Sequence, residues 1–128
     1  MRSTLIYLDT HIVVWLYLKD QSKFSPQSQA LLNQGELYIS PIVQLELQYL
    51  HEIGRITISG TEIVTHLAQQ IDLKLCEKSF AAIVSRSLSE TWTRDPFDRL
   101  IVANAALHND LLITKDANIL NHYSLARW

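Results

Sequence analysis

The sequence has little of what disulfide-rich, fibrous, disordered or membrane-spanning chains require. Its 128 residues include one cysteine, Cys76, so no disulfide can form within the chain, which favours a reducing compartment. Only three Gly, three Pro and 19% charged residues, with 48% hydrophobic residues, indicate a globular composition. The apolar run 5–8 is interrupted by Asp9, and no stretch can form a signal peptide or a membrane span. We therefore expect one soluble, cytoplasmic domain over residues 1–128.

Positive charge is also scarce. The chain has 11 Lys and Arg against 13 Asp and Glu, which gives a formal net charge of -2 and a pI near 6.2. A protein that holds nucleic acid through many phosphate contacts is normally basic. If this chain acts on nucleic acid, bound cations or a second subunit must therefore supply positive charge.

Short apolar runs alternate with helical patterns along the chain. Strands are predicted at 5–8, 37–39, 73–76 and 111–114, and their unbroken apolar character is typical of parallel strands buried on both faces. Helices are predicted at 10–18, 26–34, 41–54, 61–71, 79–89 and 96–107, with a short helical turn after 116. This order predicts an α/β fold with a central parallel sheet flanked by helices.

Two acidic residues follow predicted strands. Asp9 comes directly after the first strand, and Asp116 comes just after the last one. The carboxyl ends of parallel strands lie along one edge of a sheet, where such folds bind ligands, so both side chains are expected at that edge. Aspartate after a strand is also common turn or cap chemistry, and this alternative stays open for each residue alone.

Glu46 interrupts an apolar stripe on the predicted third helix. The stripe has helical spacing and consists of Ile42, Leu45, Tyr49, Leu50 and Ile53. Glutamate is almost never fully buried unless its charge is paired, because desolvation of a carboxylate is costly. Glu46 is therefore interpreted either as the partner of an internal Lys or Arg or as part of a cation site.

Asp95 and Asp98 lie at the start of the helix that Pro96 begins. Taken alone, this segment is a good helix start, with Asp95 as N-cap and Asp98 favoured by the helix dipole. Asp98 also shares one side of the helix with Ile101 and Val102, so it points inward if that side packs on the sheet. Asp95 is interpreted either as a cap or as a supporting residue of the same site.

The acids together predict an oxygen-only site formed by Asp9, Glu46, Asp98 and Asp116. The five histidines show no paired ligand spacing, and carboxylate ligands favour Mg²⁺ or Mn²⁺ over zinc. Because Mg²⁺ prefers phosphate oxygens, the substrate is expected to carry phosphate. In this hypothesis Asp9 and Asp98 bind the cation directly or through water. Glu46 orients the metal-bound water or acts as general base, and Asp116 completes the site. The neighbouring hydroxyl residues, which support the acids or only cap and pack, are Thr10, Ser40 and Thr114.

In their order along the chain, these residues resemble the PIN-domain nucleases, in particular the VapC-like toxin group. The matching segments are LDTH at 8–11 with VWL at 14–16, Ser40 with Glu46 six residues later, RDPFDRLI at 94–101 and LITKD at 112–116. They span essentially the whole chain, although 54–90 matches only in its helical character. The resemblance implies a PIN fold, Mg²⁺- or Mn²⁺-dependent endoribonuclease activity on RNA, a homodimer and a cognate antitoxin whose tail blocks the acidic pocket. It places the family's four acids on Asp9, Glu46, Asp98 and Asp116.

Other classes of α/β protein fit less well. A receiver-like signalling module needs a pair of acids after the first strand and an aspartate after a mid-chain strand, but Asp9 stands alone and no aspartate follows 37–39. A haloacid-dehalogenase-type phosphatase needs Asp-x-Asp, and position 11 is histidine. The remaining alternative is a PIN-like scaffold that binds a partner without catalysis, against which the presence of all four acids argues.

Overall fold

The computed structural model describes residues 4–128 and confirms the predicted α/β fold. Its five strands are β1 (Leu5–Leu8), β2 (Glu36–Ile39), β3 (Lys74–Leu75), β4 (Leu111–Ile113) and β5 (Ala126–Arg127). All strand pairs are parallel, and the order across the sheet is β3-β2-β1-β4-β5. Since β1 and β4 are neighbours, with Leu8 paired to Ile113, the residues that follow these two strands lie side by side at the carboxyl edge.

Helices connect the strands and cover the sheet. In the part of the chain that the structure describes they are α1 (Thr10–Leu18), α2 (Pro26–Leu32), α3 (Pro41–Glu52), α4 (Gly60–Ile71), α5 (Phe80–Ser87), α6 (Pro96–Ala106) and α7 (Ala117–His122). The helices predicted from the sequence start within one residue of these positions. The 3-10 helix Gln21–Lys23 and strand β5 were not predicted, because two or three residues are too few to show a hydrophobic period.

Side-chain caps explain where several helices begin. Ser25, Ser40 and Asp95 each precede a proline at the first turn, and each side chain accepts a hydrogen bond from a backbone N–H of that turn. A cap of this kind contributes about 1 kcal/mol to stability. Ser40 and Asp95 therefore have the capping role that was one of their two interpretations.

The core lies on both faces of the sheet around its central strands. Ile6, Leu8, Leu112 and Ile113 are at most 1% exposed. Strands this short carry few backbone hydrogen bonds, so the burial of their side chains supplies much of the stability of the sheet. The result is a rigid support for the residues at its carboxyl edge.

A buried ion pair that the sequence pattern did not predict connects the region after β3 to the start of β4. Lys78 Nζ donates to Asp110 Oδ2 at 2.7 Å and to the backbone oxygen of Asn104 at 2.6 Å. Only 8% and 14% of the Lys78 and Asp110 side chains are exposed. This lysine is therefore neutralised away from the candidate acids. No helix within residues 4–128 combines the length and apolar character needed to cross a membrane.

Candidate active site

Asp9 is the most firmly held of the candidate acids. It follows β1, caps α1 and is only 7% exposed. Its Oδ1 accepts the backbone N–H of Thr10 at 2.8 Å, and its Oδ2 accepts the hydroxyl of Thr114 at 2.7 Å. Burial raises the pKa of the Asp9 carboxyl, and these two hydrogen bonds oppose that rise. The two hydrogen bonds therefore fix the orientation of the Asp9 carboxylate, and burial leaves its negative charge poorly solvated.

Helix α3 brings Glu46 against the first turn of α1. The hydroxyl of Thr10 donates to Glu46 Oε1, across 36 residues of sequence. Glu46 is half-buried, and burial is the main cause that raises its pKa. The hydrogen bond from Thr10 lowers this pKa, whereas the negative charges of Asp9 and Asp95 raise it. Glu46 thus belongs to the same electrostatic environment as Asp9.

The apolar stripe predicted around Glu46 forms a core face only in part, since Ile42 packs against the core but three of its other residues are exposed. Leu45, Tyr49 and Ile53 are 56%, 48% and 50% exposed. Val43 and Leu47 are fully buried instead. Helix α3 has apolar residues on two sides, and the side that carries Val43 and Leu47 packs into the protein. Glu46 lies next to this packed side, and its contact with Thr10, rather than the stripe, places it at the acid site.

Asp98 lies in the first turn of α6 and is half-buried. Its pKa is raised to about 7, mainly by burial and in addition by the charges of Asp95, Asp9, Asp116 and Glu46, in that order. Every candidate acid therefore interacts electrostatically with Asp98. These side chains, from four separate segments, form one negative cluster, which we call the acid cluster and define as Asp9, Glu46, Asp98 and Asp116.

Asp116 forms the exposed side of the acid cluster. It caps α7, because its Oδ1 accepts the N–H groups of Asn118 at 2.8 Å and Ile119 at 3.1 Å. Its own N–H donates to Thr114 Oγ1 at 3.0 Å, the same hydroxyl that donates to Asp9. Asp116 therefore lies at the predicted carboxyl edge of the sheet and is also the N-cap of α7. Of the three hydroxyl residues considered from the sequence, Thr10 and Thr114 contact acids, whereas Ser40 caps α3.

No lysine or arginine among residues 4–128 forms an ion pair with the acid cluster. The ion pairs formed within residues 4–128 lie elsewhere, so the interpretation of Glu46 as the partner of an internal cation is wrong. The exposed imidazole of His11 lowers the pKa values of Asp9 and Glu46, an electrostatic contact that the sequence analysis did not identify. Its only sequence signal is its position two residues after Asp9.

The donor set suits a hard divalent cation in type and in charge. All its ligand atoms are carboxylate oxygens, which favour Mg²⁺ or Mn²⁺. Within residues 4–128, no three His, Cys, Asp or Glu side chains stand close enough together to hold an ion in their present positions. Burial and, after it, the charges of the neighbouring acids raise the pKa of Asp98, and a cation between these carboxylates would remove their repulsion.

Comparison with known proteins gives the family. The PIN domain model matches residues 6–124. The chain is also 31% identical over 121 residues to Ribonuclease VapC22 of Mycobacterium tuberculosis (strain ATCC 25618 / H37Rv), covering 93% of this chain and 92% of that protein. The chain therefore belongs to the PIN domain family, which rules out the receiver-like and phosphatase alternatives.

Solved structures share the fold at lower identity. VapBC2 from Rickettsia felis, bound to a DNA fragment from its promoter, aligns with a TM-score of 0.67 and 18% identity, covering 97% of this chain and 98% of that one. DNA-bound VapBC from Salmonella typhimurium aligns with a TM-score of 0.63 and 17% identity, covering 97% of this chain and 96% of that one. A toxin-antitoxin complex from Klebsiella pneumoniae aligns with a TM-score of 0.60 and 20% identity, covering 98% of this chain and 97% of that one. These similarities confirm the predicted PIN-like architecture.

Proposed function

We propose that this chain is a Mg²⁺- or Mn²⁺-dependent endoribonuclease and the toxin of a toxin–antitoxin pair. The observation that carries the proposal is the acid cluster, in which four carboxylates interact at the carboxyl edge without a lysine or arginine partner from residues 4–128. The name of the related ribonuclease and the toxin–antitoxin titles of the similar structures support it.

The residues of the acid cluster divide the chemistry among them. Asp9 and Asp98 would hold the cation, and Asp116 would complete its binding from the exposed side. The bound cation supplies positive charge that attracts and polarises the phosphodiester. Glu46 would act as general base, because burial raises its pKa and favours uptake of a proton from the attacking water. Since Thr10 donates to Oε1, we assign that proton to Oε2 of Glu46.

The supporting residues keep these groups in position. Thr10 donates its N–H to Asp9 and its hydroxyl to Glu46, so one residue sets the relative position of the cation ligand and the general base. Thr114 links Asp9 to Asp116 in the same way. Groups that fix the direction of metal ligands commonly change metal affinity or activity about 10- to 100-fold when removed.

Cleavage assays with single variants test the proposal. Asp9→Asn and Asp98→Asn should each abolish metal-dependent cleavage of RNA while the protein remains folded by circular dichroism. Asp72→Asn is a matched control, because Asp72 is exposed, lies at the end of α4 and takes no part in the acid cluster. A chelator should stop the reaction, and Mg²⁺ or Mn²⁺ should restore it. Full cleavage by the Asp9/Asp98 double variant would refute the assignment.

The partners follow from the same proposal. We propose a cognate antitoxin, which the similar toxin-antitoxin complex from Klebsiella pneumoniae supports, and we expect its tail to block the acid cluster, as the family resemblance implies. We also propose a homodimer, because α3 and α5 both contact α6 and both expose apolar side chains at i, i+4 and i+8. One stripe consists of Leu45 and Tyr49 on α3 with its C-cap residue Ile53, and the other of Phe80 and Val84 on α5 with its C-cap residue Leu88. Exposed apolar patches of this kind mark interfaces between proteins.

A further inference from the structure

Three aromatic rings from distant parts of the chain meet beside the acid cluster. Trp15 of α1 lies edge-on to Phe24 and to Trp128, with ring centroids 6.1 Å and 5.9 Å apart. Phe24 and Trp128 lie 6.0 Å apart at an interplanar angle of 30°. All three side chains remain partly exposed. Together with Lys23 and Lys115, described next, they form what we call the aromatic patch.

Two exposed lysines stand over these rings. Lys115 Nζ is 5.9 Å from the ring centroid of Trp15 and 5.5 Å from that of Trp128. Lys23 Nζ is 6.0 Å from the centroid of Trp15. Neither lysine belongs to an ion pair formed within residues 4–128, and a cation–π contact leaves the ammonium hydrogens able to bind an anion. The patch therefore presents two ammonium groups that form no ion pair within residues 4–128, on a chain whose net charge is negative.

The aromatic patch borders the acid cluster on its exposed side. Lys115 directly precedes Asp116 in the sequence, and Trp128 follows β5, the neighbour of β4 in the sheet. The His11 ring lies 6.3 Å from that of Trp15, and its charge lowers the pKa of Asp9. We therefore expect an RNA strand that enters the acid cluster from this side to pass over the rings and lysines.

We propose that the aromatic patch binds the single-stranded RNA next to the phosphodiester that is cut, an inference that rests on the proposed function. Bases would stack on Trp15 and Trp128, and the adjoining phosphates would bind Lys23 and Lys115. Aromatic rings next to cations are the usual platform for single strands, because every base has a stacking face. Packing of the segment after β5 explains why the rings meet, but it does not require that two lysines without an ion-pair partner in residues 4–128 stand above one indole.

The patch also resolves a charge problem. The acid cluster repels the phosphates of an approaching strand until a cation is bound. A positive, stacking surface at its border can hold the strand without placing lysine among the acids, where it would neutralise them. Duplex RNA would not fit this role, since its bases are stacked on each other and are not free to stack on protein rings.

Binding measurements in an Asp98→Asn background, which removes cleavage, test the inference. Fluorescence anisotropy would follow a labelled single-stranded RNA of mixed sequence in Mg²⁺. Lys115→Gln should weaken binding several-fold at low salt and lower the slope of log affinity against log salt by about one. Trp128→Ala should weaken it by about tenfold or more, and Trp128→Phe should restore part of the loss. Lys74→Gln is the matched control, because Lys74 stands over Tyr38 at 5.8 Å but lies at the opposite edge of the sheet.

A strand without bases separates stacking from charge. An abasic oligonucleotide of equal length should bind equally well to the background protein and to Trp128→Ala, but more weakly to Lys115→Gln. Unchanged RNA affinity in folded Trp128→Ala and Lys115→Gln would overturn the inference and assign the patch to packing or to a protein partner. Because binding is measured without cleavage, patch-dependent binding by a chain that never cuts RNA would contradict only the proposed function.

Discussion

The hydroxyl of Thr114 donates a 2.7 Å hydrogen bond to Asp9 Oδ2, across 105 residues of sequence. Thr114 Oγ1 also accepts a hydrogen bond from the N–H of Asp116 at 3.0 Å. Thr114 is fully buried and follows β4, so this contact joins the ends of two neighbouring parallel strands. One side chain therefore positions two members of the acid cluster that the backbone brings only to the same edge.

Replacement of Thr114 by valine tests this positioning role. Valine keeps the shape of the side chain but leaves Asp9 Oδ2 and the N–H of Asp116 without their partner, which costs about 1–3 kcal/mol of stability. Because the lost hydrogen bond lowers the pKa of Asp9, that pKa should rise further. We expect RNA cleavage to fall about 10- to 100-fold. Thr114→Ser keeps the hydroxyl and should retain most activity. A Thr114→Val variant with the activity and melting temperature of the parent protein would contradict the positioning role of Thr114.

The raised pKa of Asp98 predicts an unusual pH dependence of stability in the metal-free protein. Its carboxyl has a pKa of about 7 in the folded chain against an ordinary value of 3.8. The folded state therefore holds this proton more tightly than the unfolded state does. The resulting stability is complete below about pH 4 and is lost as the pH rises through about 7. Burial of Asp9 and Glu46 acts in the same direction.

Asp98→Asn should therefore stabilise the metal-free protein while it removes activity. At pH 8 in a chelator, loss of the repelled charge should raise the melting temperature by roughly 5 °C, after allowance for solvent screening. The difference should disappear near pH 4, where both proteins are uncharged at this position. Added Mg²⁺ should stabilise the parent protein more than the variant. A parent whose thermal unfolding does not depend on pH between these limits would argue against the raised pKa.

The sequence was sufficient to place the acids but not to orient them. The rule for parallel strands predicted the positions of Asp9 and Asp116, because it depends only on the backbone. Glu46 was placed at the site because of its position within an apolar stripe, but three of the five residues of that stripe, among them Leu45, are exposed. The contacts of Thr10 and Thr114 depend on side-chain direction between distant segments, which hydrophobic periodicity does not encode.

Asn104 offers a test of packing away from the acid cluster. It is fully buried in α6, and within residues 4–128 neither Oδ1 nor Nδ2 has a hydrogen-bond partner. Asn104→Ala removes this unsatisfied group and improves helix propensity, so it should raise the free energy of unfolding by about 1–3 kcal/mol in urea titrations. Ala103→Gly, at the preceding buried position of the same helix, is the control and should destabilise. A less stable Asn104→Ala would contradict the expectation that the unpaired amide is a net cost to the fold.

The two exposed stripes on α3 and α5 predict how a homodimer would be disrupted. Leu45 and Leu88 are 56% and 66% exposed, so a charge at either position costs the single protomer little. In a dimer that buries the stripes, the same charge is desolvated without a partner, which strongly disfavours association. Leu45→Glu and Leu88→Glu should therefore convert the dimer to folded monomers in sedimentation velocity measurements. Leu18→Glu changes a side chain that is 62% exposed but lies outside both stripes, and it should leave the dimer intact. A parent that sediments as a monomer at high concentration, or Glu variants that remain dimeric, would show that these stripes do not form the interface.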